Sequence, residues 1–182
     1  ENIGLETLVC SGNQLTSLDV SENIGLRALV CSGNQLKFLD VSKCMYLRTL
    51  DCQLNRLTFL DVTKCTDLSD LSDLSCSANP LTSLNVSGYT RLMYLHCYNT
   101  QLTSLNASGC TDLFHLVCSD SQLTSLNVSG CTALKSLGCN DNNISSVIPD
   151  WFSQLDYFGY DIRFKYFTAT KYEDRGKGWW YP

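Results

Sequence analysis

A single spacing constrains this chain more than anything else in it. The frame L-x-x-L-x-C, first met at Leu5, Leu8 and Cys10, returns with its cysteine at Cys31, Cys52, Cys76, Cys97, Cys118 and Cys139. The intervals are 21, 21, 24, 21, 21 and 21 residues. Self-similarity at such a fixed period belongs to chains that stack one small unit on the next, each burying a face that its neighbours cover. The expected architecture is therefore a solenoid of seven coils over residues 1–148, followed by a compositionally different segment over 149–182.

Within each coil the alternation of Leu8 and Cys10 predicts a short strand with both side chains turned inward. An asparagine follows the cysteine by three residues at Asn13, Asn34, Asn55, Asn79 and Asn142. A side-chain amide placed there can bond the backbone of its own coil and of the next, satisfying groups that a tight turn leaves unpaired. Thr100 and Ser121 stand in its place in the fifth and sixth coils, where shorter side chains predict a weaker ladder. The return half, Leu15-Thr16-Ser17-Leu18-Asp19-Val20-Ser21, alternates again. A coil this short spends its residues on two extended segments and their turns, so extended or 3₁₀ structure is expected on the convex side. The outward column there, Asp19, Asp40, Asp61, Asn85, Asn106 and Asn127, includes three N-x-S sequons generated by the repeat itself.

The frame resembles the leucine-rich repeat, L-x-x-L-x-L-x-x-N-x-L, with cysteine in the place of the third leucine. That resemblance implies a horseshoe or arc with a parallel β-sheet lining its concave side. The cysteine-bearing 21-residue repeat, its T-S-L-D-V-S return segment and the tail Tyr157–Phe164 with Gly178–Pro182 are further similar to secreted leucine-rich repeat proteins of Bacteroides-type bacteria. The resemblance implies an extracellular or cell-surface location and a role in recognition or adhesion. It implies no particular ligand, because a fold does not fix a function.

Eleven cysteines would ordinarily suggest a disulfide framework or a metal site. Here seven occupy the strand column and four, Cys44, Cys65, Cys110 and Cys131, a second column thirteen residues later. Neighbouring strands lie about 4.8 Å apart with side chains pointing the same way. Parallel Cβ vectors suit a disulfide dihedral poorly, and a row of thiols is not a tetrahedron. Buried, reduced, structural thiols are the expectation, with disulfides and metal as the alternatives.

A net charge of −5 argues against an electrostatic grip on nucleic acid or anionic membrane. No apolar run approaches the roughly 18 residues of a membrane span, so no membrane insertion of this segment is expected. The 24-residue interval arises from Asp67–Leu74, where a leucine-serine-aspartate triplet is duplicated. It reads as a bulge in a connecting turn, or as a loop that alters curvature or meets a partner. After Ile148 the composition shifts: twelve of the nineteen aromatic residues fall between Trp151 and Tyr181. Pro149–Leu155 suits one helical turn and Tyr160–Tyr166 a half-buried strand. An aromatic C-terminal cap over the last coil is the expectation, since an exposed terminal core aggregates; a carbohydrate-stacking surface is the alternative. At the other end the first coil, Leu5 to Ser21, is expected to leave a sheet edge uncovered.

The outward strand positions are what a ligand on the concave side would meet. Those of the first two coils are small. The fifth carries Tyr94, His96 and Tyr98 on one strand, His115 follows on the next, and Asp51 and Asp73 lie two and one coils away. Aromatic and imidazole rings provide rigid contact area of the kind found at interface hot spots. These six residues are the candidate partner-binding site, with a protein partner expected and a glycan as the alternative. A His-Asp pair for catalysis or metal is the weaker reading, because an open sheet has no pocket to exclude water. No nucleophile motif, phosphate loop or CxxC occurs, and no enzyme and no cofactor are expected. Two functions are therefore carried forward: a non-catalytic recognition module, or a structural spacer in a larger surface protein with no ligand of its own.

Overall fold

The computed structural model describes residues 2, 4–63, 70–144 and 157–159. Each coil contributes one three-residue strand to a long parallel sheet: β1 (Thr7–Val9), β2 (Ala28–Val30), β3 (Thr49–Asp51), β4 (Asp73–Ser75), β5 (Tyr94–His96), β7 (His115–Val117) and β9 (Ser136–Gly138). The strand order follows the chain, ending on β10 (Tyr157–Gly159) as the eighth member. Register is strict. Leu8 stands against Leu29, and the row continues through Leu50, Leu74, Leu95, Leu116 and Leu137. Each of these leucines from Leu29 to Leu137 is fully buried. The row passes from Leu50 to Leu74 without a slip, so the three extra residues of that coil lie entirely outside the sheet.

What holds successive coils at strand spacing is the asparagine column. Asn55 Nδ2 donates to Cys31 O of the preceding coil at 3.0 Å, to Cys52 O at 3.0 Å and to Gln53 O at 3.3 Å. Its Oδ1 accepts from Leu36 N at 2.9 Å. Asn34, Asn79 and Asn142 repeat the pattern. One buried amide thus answers polar groups on two coils, which is why the turn can be tight and still dry. The residue before each ladder position has left-handed backbone, from Gly12 (φ 65°) and Gly33 (φ 63°) to Leu54 (φ 54°) and Asp141 (φ 55°). Thr100 and Ser121 make a thinner rung. Thr100 Oγ1 donates to Cys97 O of its own coil at 3.1 Å and meets Ser121 Oγ at 2.9 Å. Among the described residues it makes no bond back to the coil before it.

The return segments settle the convex side as extended; no helix occurs among the described residues. In the later coils they pair into a second ladder, β6 (Ser104–Asn106) with β8 (Ser125–Asn127), with Asn85 bridged to Asn106.

All ten described cysteines are free thiols. In the strand column Cys31 to Cys139 are buried, and burial pushes the Cys31 thiol up to about 12. In the second column each sulfur donates to a carbonyl of the preceding coil: Cys110 to Val86 O at 3.0 Å and Cys131 to Ala107 O at 3.1 Å. Tyr89 fills the same column in the fourth coil, which follows the 24-residue one, buried, with its hydroxyl donating to Val62 O at 2.6 Å. A phenol spans there what a thiol spans elsewhere. Cys65 lies outside the described residues.

At the N-terminal end β1 is the outermost strand, and Leu5, Leu8, Cys10, Leu15 and Leu18 are only partly buried. At the other end β10 pairs with β9 in register, Tyr157 against Ser136. The segment after residue 148 therefore adds a strand to the sheet. The helical turn expected at Pro149–Leu155, the strand expected at Tyr160–Tyr166 and the tryptophans Trp179 and Trp180 all lie outside the described residues.

Candidate functional site

The parallel register assembles the candidate residues in two rows on the concave face. Thr49, Asp73, Tyr94, His115 and Ser136 form one; Asp51, Ser75, His96 and Val117 form the other. Tyr94 therefore stands directly against both Asp73 and His115. His96 and His115 meet diagonally, ring centroids 5.2 Å apart and planes at 89°. This edge-to-face geometry places the positive rim of one ring on the negative face of the other. His96 Nδ1 also lies 3.3 Å from Ser75 Oγ. Tyr98 sits just past the strand, its backbone N–H held by Ser77 Oγ at 3.2 Å, with its ring exposed. The six residues are thus brought together, except that Asp51 is separated from His96 by Ser75.

Burial on the sheet lowers both imidazoles below their ordinary value of 6.5; His115 is lowered further by His96, whereas Asp51 partly offsets the effect at His96. Burial, then the nearby Asp51 carboxylate, raises Asp73. Both rings are accordingly neutral at pH 7, and the face is less charged than its composition suggests.

Ser75 and His96 share a hydrogen bond, but Asp51 lies across the sheet from Ser75 and not beyond the ring, where an orienting carboxylate would stand. Among the described residues no group of three or more His, Cys, Asp or Glu side chains converges on a common point for a metal. What the arrangement offers is contact area.

That area is larger than the strand positions alone. Met93 and Phe114, which directly follow the inward Leu92 and Leu113, are exposed and continue the patch past Tyr94 and His115. The signal for them was present in the repeat. Their column otherwise reads Glu6, Arg27, Arg48, Ser72 and Lys135, so two adjacent apolar residues break a polar series. A second exposed group, Ile24, Met45 and Tyr46, lies in the turns that lead into β2 and β3.

A family profile for the Leucine Rich Repeat matches residues 133–155. The functional domain of InlJ from Listeria monocytogenes, whose structure includes a cysteine ladder, superposes with a TM-score of 0.80 at 37% identity, over 86% of this chain and 35% of that one. This chain folds as a leucine-rich repeat solenoid. Its solenoid is similar as well to a leucine-rich repeat protein of Leptospira interrogans (TM-score 0.74, 25% identity, 86% of this chain and 43% of that chain). It is also similar to internalin C2 of Listeria monocytogenes (TM-score 0.69, 27% identity, 86% of this chain and 70% of that chain). The leucine-rich repeat chain thus spans 35% and 43% of the first two structures. No curated protein sequence matches it. These likenesses are to Listeria and Leptospira proteins, and the resemblance to Bacteroides-type proteins stays an expectation. No helix among the described residues is long and apolar enough to cross a membrane.

Proposed function

We propose that this leucine-rich repeat chain is a non-catalytic recognition module whose concave face binds a protein partner, in the setting of a bacterial surface or secreted protein. One observation carries the reading. The only dense group of rings on the described sheet, Tyr94, His96, Tyr98 and His115, is gathered on two adjacent coils and extended by Met93 and Phe114. The other coils present small or polar residues at the same places, so the patch is local and not a property of the repeat. Rings that are rigid, neutral and already in contact lose little conformational freedom on binding, which favours them as anchors. Asp51 and Asp73 frame the patch on one side and provide acceptors for a partner's Lys or Arg at the rim. The likeness to internalin-type domains supports a surface or secreted setting.

The test is a screen of the intact chain against extracellular proteins, with a variant carrying Tyr94→Ala, His96→Ala, Tyr98→Ala and His115→Ala alongside. The expected result is a partner that the variant loses while its thermal midpoint stays within a few degrees. A partner held equally by both proteins would remove the concave site. No partner for either would favour the spacer reading.

A further inference from the structure

The convex side carries a second feature, at the junction between the third and fourth coils. Elsewhere the turn after each ladder residue hands a hydrogen bond to the coil before it: Gln35 N to Leu15 O, Arg56 N to Leu36 O and Gln101 N to Leu81 O, all at 2.9 Å. The fourth coil has Pro80 at that place, and proline has no N–H to give. The next contact between the two coils is Thr82 N to Thr58 O at 3.4 Å. Past that point Asn85 bridges onward to Asn106. The three extra residues of the third coil fall between Val62 and Leu71, at the same junction. Tyr89, in place of a cysteine, spans the widened step.

The result is a seam that opens into a groove of about 370 Å³. Phe59 and Asp61 form one bank; Ser83, Asn85, Ser104 and Asn106 form the other and the floor. Phe59 is 53% exposed, and Phe38, one coil earlier in the same column, is 65% exposed. Asn85 Oδ1 accepts from Ser87 N and Ser87 Oγ, and Asn106 Oδ1 accepts from Ser108 N. Those bonds fix both amides and leave their Nδ2 groups as donors beside the serine hydroxyls. Among the described residues no Lys or Arg lines the groove. Its lining therefore suits neither an anion nor a purely apolar ligand.

We propose that this seam is a subsite for a neutral oligosaccharide. A pyranose presents polarised C–H bonds on one face and hydroxyls, each both donor and acceptor, around its edge. The face lies on the Phe59 ring, whose π cloud attracts the C–H bonds, and the hydroxyls meet the Asn85 and Asn106 amides and the Ser83 and Ser104 hydroxyls. The volume stands at the low end for ligand sites and suits about one or two sugar rings. The site is on the opposite side from the aromatic patch and does not depend on it.

The experiment uses the intact chain against an array of neutral glucans, mannans and chito-oligosaccharides, together with a library of extended peptides. Hits are titrated with the wild type, Phe59→Ala, Ser104→Arg and a Tyr94→Ala/Tyr98→Ala double variant. Expected are at least one bound oligosaccharide, about tenfold weaker binding for Phe59→Ala, loss of binding for Ser104→Arg and no change for the concave variant. Ser104 is exposed, so an arginine there fills the groove without disturbing the core and keeps the test decisive should Phe59→Ala alter the fold. Absence of any bound sugar, binding unmoved by both convex variants, or capture of peptides alone would overturn the proposal.

Discussion

The two sides of the third-to-fourth coil junction meet the same three extra residues in opposite ways. On the concave side the sheet register runs from Leu50 to Leu74 unbroken, and Asn79 still donates to Cys52 O at 3.0 Å. On the convex side a ladder bond is missing at Pro80 and a groove opens. The difference lies in what ties the coils together. Strand hydrogen bonds recur every coil on the concave side and buried amides in four of them, and each is costly to leave unmade. The return segments meet largely through exposed backbone, where water can substitute. Irregularity in a solenoid is pushed to the side where solvent satisfies what the protein does not. The proposed recognition face lies on the regular side, where regularity is enforced.

The largest effect should come from breaking that enforcement. Replacing Asn55 with alanine removes its bonds to three carbonyls, each of which keeps one other donor, and strands the Leu36 N–H in the core. The expected loss is about 3 kcal/mol or more. Thr100→Ala, at a rung with no bond to the preceding coil, should cost about 1 kcal/mol. Urea unfolding of the two variants measures the gap; equal losses would show that the amide column is not what holds the coils.

Tyr89 sharpens the comparison from the convex flank. Tyr89→Cys restores the residue that other coils use there, yet it should destabilise by about 3 kcal/mol, because the widened step leaves a cavity a thiol cannot fill. Tyr89→Phe keeps the volume and loses only the bond to Val62 O, at about 1 kcal/mol. If Tyr89→Cys proved neutral by thermal melting, the junction would not be wide at all.

The regular side was the legible one. The 21-residue period gave the strands, the asparagine ladder and the neighbours of Tyr94, because a parallel sheet in strict register converts spacing directly into adjacency. Asp51, Asp73, His96 and His115 could be placed from their numbers alone. The junction was legible only as a count, since an insertion reveals its length and not which backbone bonds it sacrifices. Pro80 and Tyr89 held that information, one by lacking a donor and the other by standing in a cysteine column. Met93 and Phe114 were overlooked because strand alternation assigns the position after an inward leucine to the edge, where exposure goes unremarked.

The histidines give the regular side a pH dependence near neutrality. Both have folded-state values below the ordinary 6.5, so as pH falls through 6.5 the unfolded chain takes up protons before the folded chain does. Stability contributed by the neutral rings is fully present above 6.5 and declines below it, levelling once the folded rings are protonated. Asp73, whose value is raised from 3.8, acts in the opposite sense: the fold is favoured at low pH and loses that gain as pH rises above 3.8. Thermal midpoints measured from pH 7.5 to 5 should fall for the wild type and fall less for a His96→Gln/His115→Gln variant. Identical profiles would mean that the ring pair titrates as it does in the unfolded chain.

The smallest expected effect lies at the turn that joins the two sides. Leu54 holds a φ of 54° with 59% of its side chain exposed, in the place that Gly12 and Gly33 take in the first two coils. A branched side chain in the left-handed region crowds its own carbonyl, at roughly 1–2 kcal/mol. Glycine relieves that strain but adds about 0.5–1 kcal/mol of chain entropy to the unfolded state. The balance for Leu54→Gly is a gain of about 0.5 kcal/mol, read as a rise in the urea midpoint with the slope unchanged. Leu54→Ala keeps a Cβ in the same strained backbone and should show no such gain. A loss in the glycine variant would instead assign the exposed leucine a packing role on the rim of the sheet, and would move the boundary of the recognition face outward to include it.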